Sequence, residues 1–150
     1  MAKKKSKYTV RSDALHEAIR VVNGKRVPFR GHTDAEVERK MIEYKEKIER
    51  GPLFKDVAEA WKEEHFPTLS PGTLRSYTAA YNRAVDRFVD MYIKEITATD
   101  NDALLQSMAK QKFARKTVAN QRIVLNLIFR SAVLDGTIRY NPCAEVKVPK

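Results

Sequence analysis

The sequence predicts an α+β module, a three-stranded antiparallel sheet plus one helix, over residues 1–50, followed by an all-α four-helix bundle over residues 51–150. Three observations carry that expectation. β-prone runs flank an Asn-Gly pair in the first thirty residues, and helical periodicity dominates beyond Leu53. The break between the two patterns falls at Gly51-Pro52, a pair that ends helices and opens loops.

In the first module YTVR, from Tyr8, is short and β-prone. HEAIRVV and KRVPFR flank Asn23-Gly24, which favours a two-residue type I′ hairpin. Pro28 is tolerated best on an edge strand, because it donates no ladder hydrogen bond. Thr33-Asp34-Ala35-Glu36 has the form of a capping box and opens the helix AEVERKMIEYKEKIER, with Val37, Met41, Tyr44 and Ile48 at helical spacing. The initial MAKKKSKY reads first as a mobile solvated tail. Beside DNA, such an arm is able to follow phosphates or enter a minor groove.

The second unit is read as wholly helical. Phe54, Val57, Ala58, Trp61 and His65 line one face of its first helix. Ser70-Pro71 supplies an N-cap and a proline at the first helical position of the second. There Leu74, Tyr77, Tyr81, Ala84, Val85 and Phe88 form an apolar stripe, which marks the tyrosines as core and not base-stacking platforms. Thr99-Asp100-Asn101-Asp102 is read as a capping box ahead of Leu104, Leu105 and Met108. The fourth helix is expected from Lys116 to Leu134, ended by Asp135-Gly136. Residues from Arg139 onward read as a turn and a short extended tail, with VKVPK given no site.

A formal charge of +10 and a pI near 9.8 point to a polyanionic partner, with nucleic acid as the expected one. Cys143 is the single cysteine, which excludes a disulfide framework and a cysteine zinc cluster. His16, His32 and His65 lack ligand-like spacing, so neither metal nor other cofactor is expected. No apolar run approaches the roughly 18 residues of a membrane span. The chain is therefore expected in the cytosol.

Carboxylates are absent from His65 to Val85 and again from Ala103 to Leu134. Basic residues in these intervals lack acidic partners at i±4, which leaves their mutual repulsion unrelieved unless an external anion relieves it. At about 100° per residue, the side of the second helix opposite its stripe carries Ser76, Ala79 and Arg83, flanked by Arg75 and Asn82. The first half of the fourth helix offers Lys116, Thr117, Asn120 and Arg122. Its N-terminus also presents the favourable end of the helix dipole to a phosphate. Its second half, IVLNLIF, is apolar nearly all round and has to be buried. In the first module Arg20, Lys25, Arg26 and Arg30 crowd a sheet about as wide as a major groove.

LFKDVAEAW, SPGTLRSY, IKEITATD, KTVANQRIVLNLIFRSAV and DGTIRYNPCAEVKVPK, in that order, resemble the core-binding domain of tyrosine recombinases, the phage-integrase family, from Leu53 to Lys150. The glycine turn followed by Asn141-Pro142 is the most specific part. Leu53 departs from the family's usual Thr or Ser, which weakens that helix cap. Residues 1–50, through NGK, FRGHT and the helix after them, look like the arm-binding domain often found upstream. The resemblance implies a SAM-like helical bundle clamped on DNA beside a catalytic domain. It carries over core-site candidates Thr73, Arg75, Ser76, Arg83, Lys116, Thr117, Asn120 and Arg122, and arm-site candidates Arg20, Lys25, Arg26 and Arg30. Partners implied are double-stranded DNA and other recombinase protomers, with no membrane and no small-molecule substrate.

The family's tyrosine nucleophile works with arginines, a lysine and a His-x-x-Arg motif. The residues three beyond His16, His32 and His65 are Ile19, Ala35 and Thr68, so the motif is missing from this stretch. No catalytic residue is therefore nominated, and the chain is expected to bind DNA without cutting it. The reading is the DNA-binding portion of an integrase acting in integration or excision of a mobile element. The alternatives are a stand-alone DNA-binding regulator and a module that docks an acidic protein.

Overall fold

The structure is a computed structural model that describes residues 5–22 and 24–150. The chain forms two compact units, divided between Arg50 and Gly51. The first holds β1 (Thr9–Val10), β2 (His16–Val22), β3 (Lys25–Gly31) and α1 (Asp34–Arg50). The strands are antiparallel in the order β1-β2-β3, so Pro28 lies on an edge strand as expected. Val22 pairs with Lys25, which leaves a two-residue connection. Of the Asn-Gly pair, Gly24 has φ 78° and Asn23 lies outside the described residues.

Strand pairing decides which side chains share a face. Ala18 is opposite Phe29, and both are buried with Val37 of α1. Tyr8, Val27, Met41 and Tyr44 pack around them, Tyr44 meeting Phe29 edge-on at 5.3 Å. Because side chains alternate, the pairs Glu17–Arg30, Ile19–Pro28 and Val21–Arg26 lie on the other face, away from this core.

The reading of the N-terminal lysine tract as a mobile tail needs correction from Ser6 onward; residues 1–4 lie outside the described residues. Ser6 Oγ and the Lys7 amide both donate to the Asp34 carboxylate, at 2.7 and 2.8 Å. His16 Nδ1 is 2.6 Å from the same group. Lys7 and Tyr8 reach Glu38, one helical turn on. These bonds, led by the Lys7 amide and followed by His16, hold the Asp34 carboxyl down to about 2. The carboxylates of the first turns of α1 thus tie down the start of the chain, which local sequence did not reveal. Thr33 caps α1 as expected, accepting from the Glu36 amide, but the Glu36 carboxylate accepts from the His32 amide in place of completing the box.

The second unit contains α2 (Phe54–His65), α3 (Pro71–Arg87), α4 (Ala98–Lys110) and α5 (Arg115–Leu134), with one-turn 3₁₀ segments at Phe66–Thr68 and Ile93–Glu95. Each expected helix is present. α5 is the central element, packing against α2, α3 and α4. Val124, Leu125, Ile128 and Phe129 are fully buried, although Ile123 in the same apolar run stays 40% exposed. Phe54 joins the ends of the bundle, its ring 5.2 Å from Phe88 and 5.5 Å from Phe129.

Three local expectations change. The helix cap of α4 is Thr97 with Asp100, not Thr99, because the helix begins two residues earlier and Thr99 falls in its first turn. Ser70 occupies the N-cap of α3, yet its hydroxyl donates to the Thr73 hydroxyl and caps no amide. Leu53 likewise offers α2 no side-chain cap; the Phe54 amide is satisfied by the Met91 carbonyl, beside a Leu53–Tyr92 bridge.

The C-terminal stretch belongs to the core and is not an extended tail. Cys143 is fully buried and Val146 nearly so. Asn141 is the staple: its amide donates to Asn126 Oδ1 at 2.8 Å, and its own oxygen accepts from the Cys143 amide at 2.8 Å. α4 and α5 end in the same way. Phe113 N–H reaches back to the Met108 carbonyl around Lys112 (φ 65°), and Thr137 N–H to the Ala132 carbonyl around Gly136 (φ 76°), both Schellman closures.

Candidate functional site

α3 buries Ala80, Tyr81 and Ala84 against the bundle, which turns Arg75, Ser76, Ala79 and Asn82 to solvent. Small residues here leave a shallow groove lined by Pro71, Leu74, Arg75, Thr78, Ala79 and Asn82. Thr73 is half-buried beside Ser70, and Ser76 Oγ donates back to the Gly72 carbonyl. Among the described residues no carboxylate lies within ion-pair distance of Arg75.

At the start of α5 the N-cap is Ala114, which has no side-chain acceptor, and the first turn holds no acid. Helix-start amides are left without a capping side chain, next to exposed Arg115 and Lys116. Neither cation has an ion-pair partner among the described residues. Thr117 and Asn120 are half-buried on the same opening turns. Arg115 was not nominated from sequence, although it stands in the same acid-free interval that singled out Lys116.

Two nominated arginines have protein partners that sequence spacing hides. Arg83 donates to Gln121 Oε1 at 2.9 Å, and its guanidinium lies 4.9 Å from the Phe113 ring centre. Gln121 is fully buried and donates in turn to the Ala80 carbonyl at 2.9 Å. Arg83 therefore stitches α3 to α5 while part of it remains at the surface. Arg122 donates to the carbonyls of Val146 and Ala144, clasping the C-terminal stretch. Behind it, burial pushes the Cys143 thiol up to about 11.

In the first module the four nominated cations divide between two faces. Arg26 and Arg30 lie on the open face of the sheet, whereas Arg20 and Lys25 fall on the α1 side by register. Arg20 extends over Tyr8, 5.8 Å from its ring centre. Arg30 Nε bonds the Glu17 carboxylate, which Arg11 also approaches at 3.4 Å. The Arg30 bond, with both guanidiniums nearby, lowers the Glu17 pKa. Arg26 has no such partner among the described residues. Sequence reasoning missed Ile19 and Val21, aliphatic and exposed on that same face.

No group of His, Cys, Asp and Glu able to hold a metal is present among the described residues. No described helix is long and apolar enough to cross a membrane.

Comparison with known proteins agrees with this geometry at the level of fold. The phage integrase central domain matches residues 54–148. A solution NMR structure of a protein fragment from Clostridium leptum is 26% identical, with a TM-score of 0.57 over 66% of this chain and 90% of that one. The crystal structure of a lambda integrase dimer bound to a COC′ core site has a TM-score of 0.63 at 15% identity. That match covers all of this chain and 47% of the lambda chain, so the chain spans about half of that protein's length. No curated protein sequence matches. With its central domain spanning residues 54–148, the chain belongs to the phage integrase family.

Proposed function

We propose that the chain is the DNA-binding portion of a site-specific tyrosine recombinase, with residues 1–50 engaging arm-type sites and residues 51–150 core-type sites during integration or excision of a mobile element. The observation that carries the core-site reading is the uncapped start of α5, flanked by Arg115 and Lys116, which have no ion-pair partner among the described residues, within a carboxylate-free stretch. Free N–H groups and the positive end of a helix dipole suit a phosphate, and two adjacent cations strengthen the site. Thr117 and Asn120 add neutral hydrogen-bonding groups, and Arg75 and Ser76 extend the surface along α3. In this reading Arg83 acts mainly by fixing α3 on α5, and Arg122 by holding the C-terminal stretch. Arg26 and Arg30 carry the arm surface, with Arg20 and Lys25 at its margin. The partners are duplex DNA and further recombinase protomers assembled on it, within the cytoplasm. Strand cleavage is assigned to groups other than those of residues 1–150.

The test is a binding selection from a random duplex pool with the whole chain, followed by salt titration of the enriched duplexes. Two separate motifs are expected, one weakened by Lys116→Glu and the other by Arg26→Glu. Absence of any DNA retention by the folded protein would refute the reading.

A further inference from the structure

The open face of the sheet carries more than cations. Ile19 is 42% exposed and Val21 is 70% exposed. Both project away from α1, since their cross-strand partners are Pro28 and Arg26 and not the buried Phe29. Branched aliphatic side chains on the middle strand of a sheet are ordinarily covered, because water gains nothing from contact with them. Here they form an apolar strip with Pro28, bordered by Arg26 at one end and the Glu17–Arg30 pair at the other.

The charges around the strip narrow its occupant. Glu17 is held by Arg30 and Arg11, so its charge is already answered, while Arg26 has no carboxylate among the described residues. A strip both apolar and net cationic suits a surface that is polyanionic at its edges and offers methyl groups between them. The major groove of duplex DNA has that chemistry: thymine presents a 5-methyl group there, and guanine presents O6 and N7 to an arginine. Pure phosphate contact would leave Ile19 and Val21 without a partner. Residues two apart on a strand are separated by about 6.6–6.8 Å, close to two base-pair steps, so both side chains reach bases within one short motif.

We propose that Ile19 and Val21 are specificity determinants that read thymine methyl groups in the arm site, with Arg26 reading a neighbouring guanine. The proposal rests on the assignment of the sheet as the arm-DNA surface and adds what that surface recognises.

In the selection with the whole chain, the arm motif is the one that Arg26→Glu weakens. Each thymine of that motif is then replaced singly by deoxyuridine, which removes the methyl group and nothing else. One or two positions are expected to lose about fourfold in affinity, the transfer free energy of one methyl group. That penalty is expected to vanish in Ile19→Ala or Val21→Ala, whose exposed sites should leave the circular dichroism native. Equal binding of thymine and uracil duplexes at every position, with the motif still enriched, would overturn methyl reading while leaving the arm surface intact. A uracil penalty that persists in both alanine variants would overturn the assignment to these residues. A motif set unchanged by Arg26→Glu would overturn the arm surface itself, and the proposal with it.

Discussion

Replacing Asn141 by Ala should open the C-terminal stretch before it unfolds the bundle, and a single buried thiol makes that visible. Asn141 donates to Asn126 Oδ1 at 2.8 Å and accepts from the Cys143 amide at 2.8 Å; a third contact, to the Asn126 carbonyl, is longer at 3.3 Å. At about 1 kcal/mol net for each good hydrogen bond, the two short ones together stabilise the closed stretch by about 2 kcal/mol. Cys143 is the only cysteine, is fully buried, and has its thiol held near 11 by burial. Labelling by a thiol reagent therefore requires opening, and its rate follows the open population when reclosing is fast. A change of about 2 kcal/mol corresponds to labelling about 30-fold faster than wild type. Urea unfolding followed by the fluorescence of Trp61, the only tryptophan, separates local opening from global loss. Labelling within about threefold of wild type would refute the staple.

Arg83→Ala should destabilise the helical unit by about 1–3 kcal/mol, because it leaves the buried Gln121 oxygen without its donor; urea melts measure it, and an unchanged midpoint would speak against the stitch. Lys116→Glu and Arg75→Glu should leave that midpoint alone, weaken binding to selected duplexes, and lower the salt slope by about one counterion each; an unaltered slope would exclude phosphate contact. Asp34 has a carboxyl held below its ordinary 3.8, at about 2, so its contribution is complete above pH 3.8 and is lost as pH falls through 2. Asp34→Asn should free the Ser6–Tyr8 segment at neutral pH, read as faster amide exchange there; wild-type exchange would refute the clasp.

The sequence made helices and strands legible because their signals are periodic and local. Apolar residues at Leu74, Tyr77, Tyr81 and Ala84 locate the buried side of α3 without knowledge of any partner. Partners distant in sequence were the blind spot. Arg83 and Arg122 look like free cations in an acid-free stretch, yet their acceptors lie 38 and 24 positions away, on Gln121 and the Val146 carbonyl. Register was equally hidden: Arg20 and Arg26 appear equivalent until strand pairing places them on opposite faces, since a shift of one residue exchanges the faces. Thr99 carries a capping signature in sequence, but α4 begins two residues earlier and is capped by Thr97 with Asp100.

The two Schellman closures place different residue types in the same left-handed backbone position. Gly136 fills the left-handed position after α5, where the absence of a Cβ makes φ 76° undemanding. The same position after α4 holds Lys112 at φ 65°, although a side chain there costs about 1 kcal/mol relative to glycine. A protein engineer seeking thermal stability would choose Lys112→Gly first. That choice would strip a cation from the loop entering α5, the very stretch in which acids are absent. Lys112→Gly therefore exchanges one positive charge for relief of about 1 kcal/mol of backbone strain.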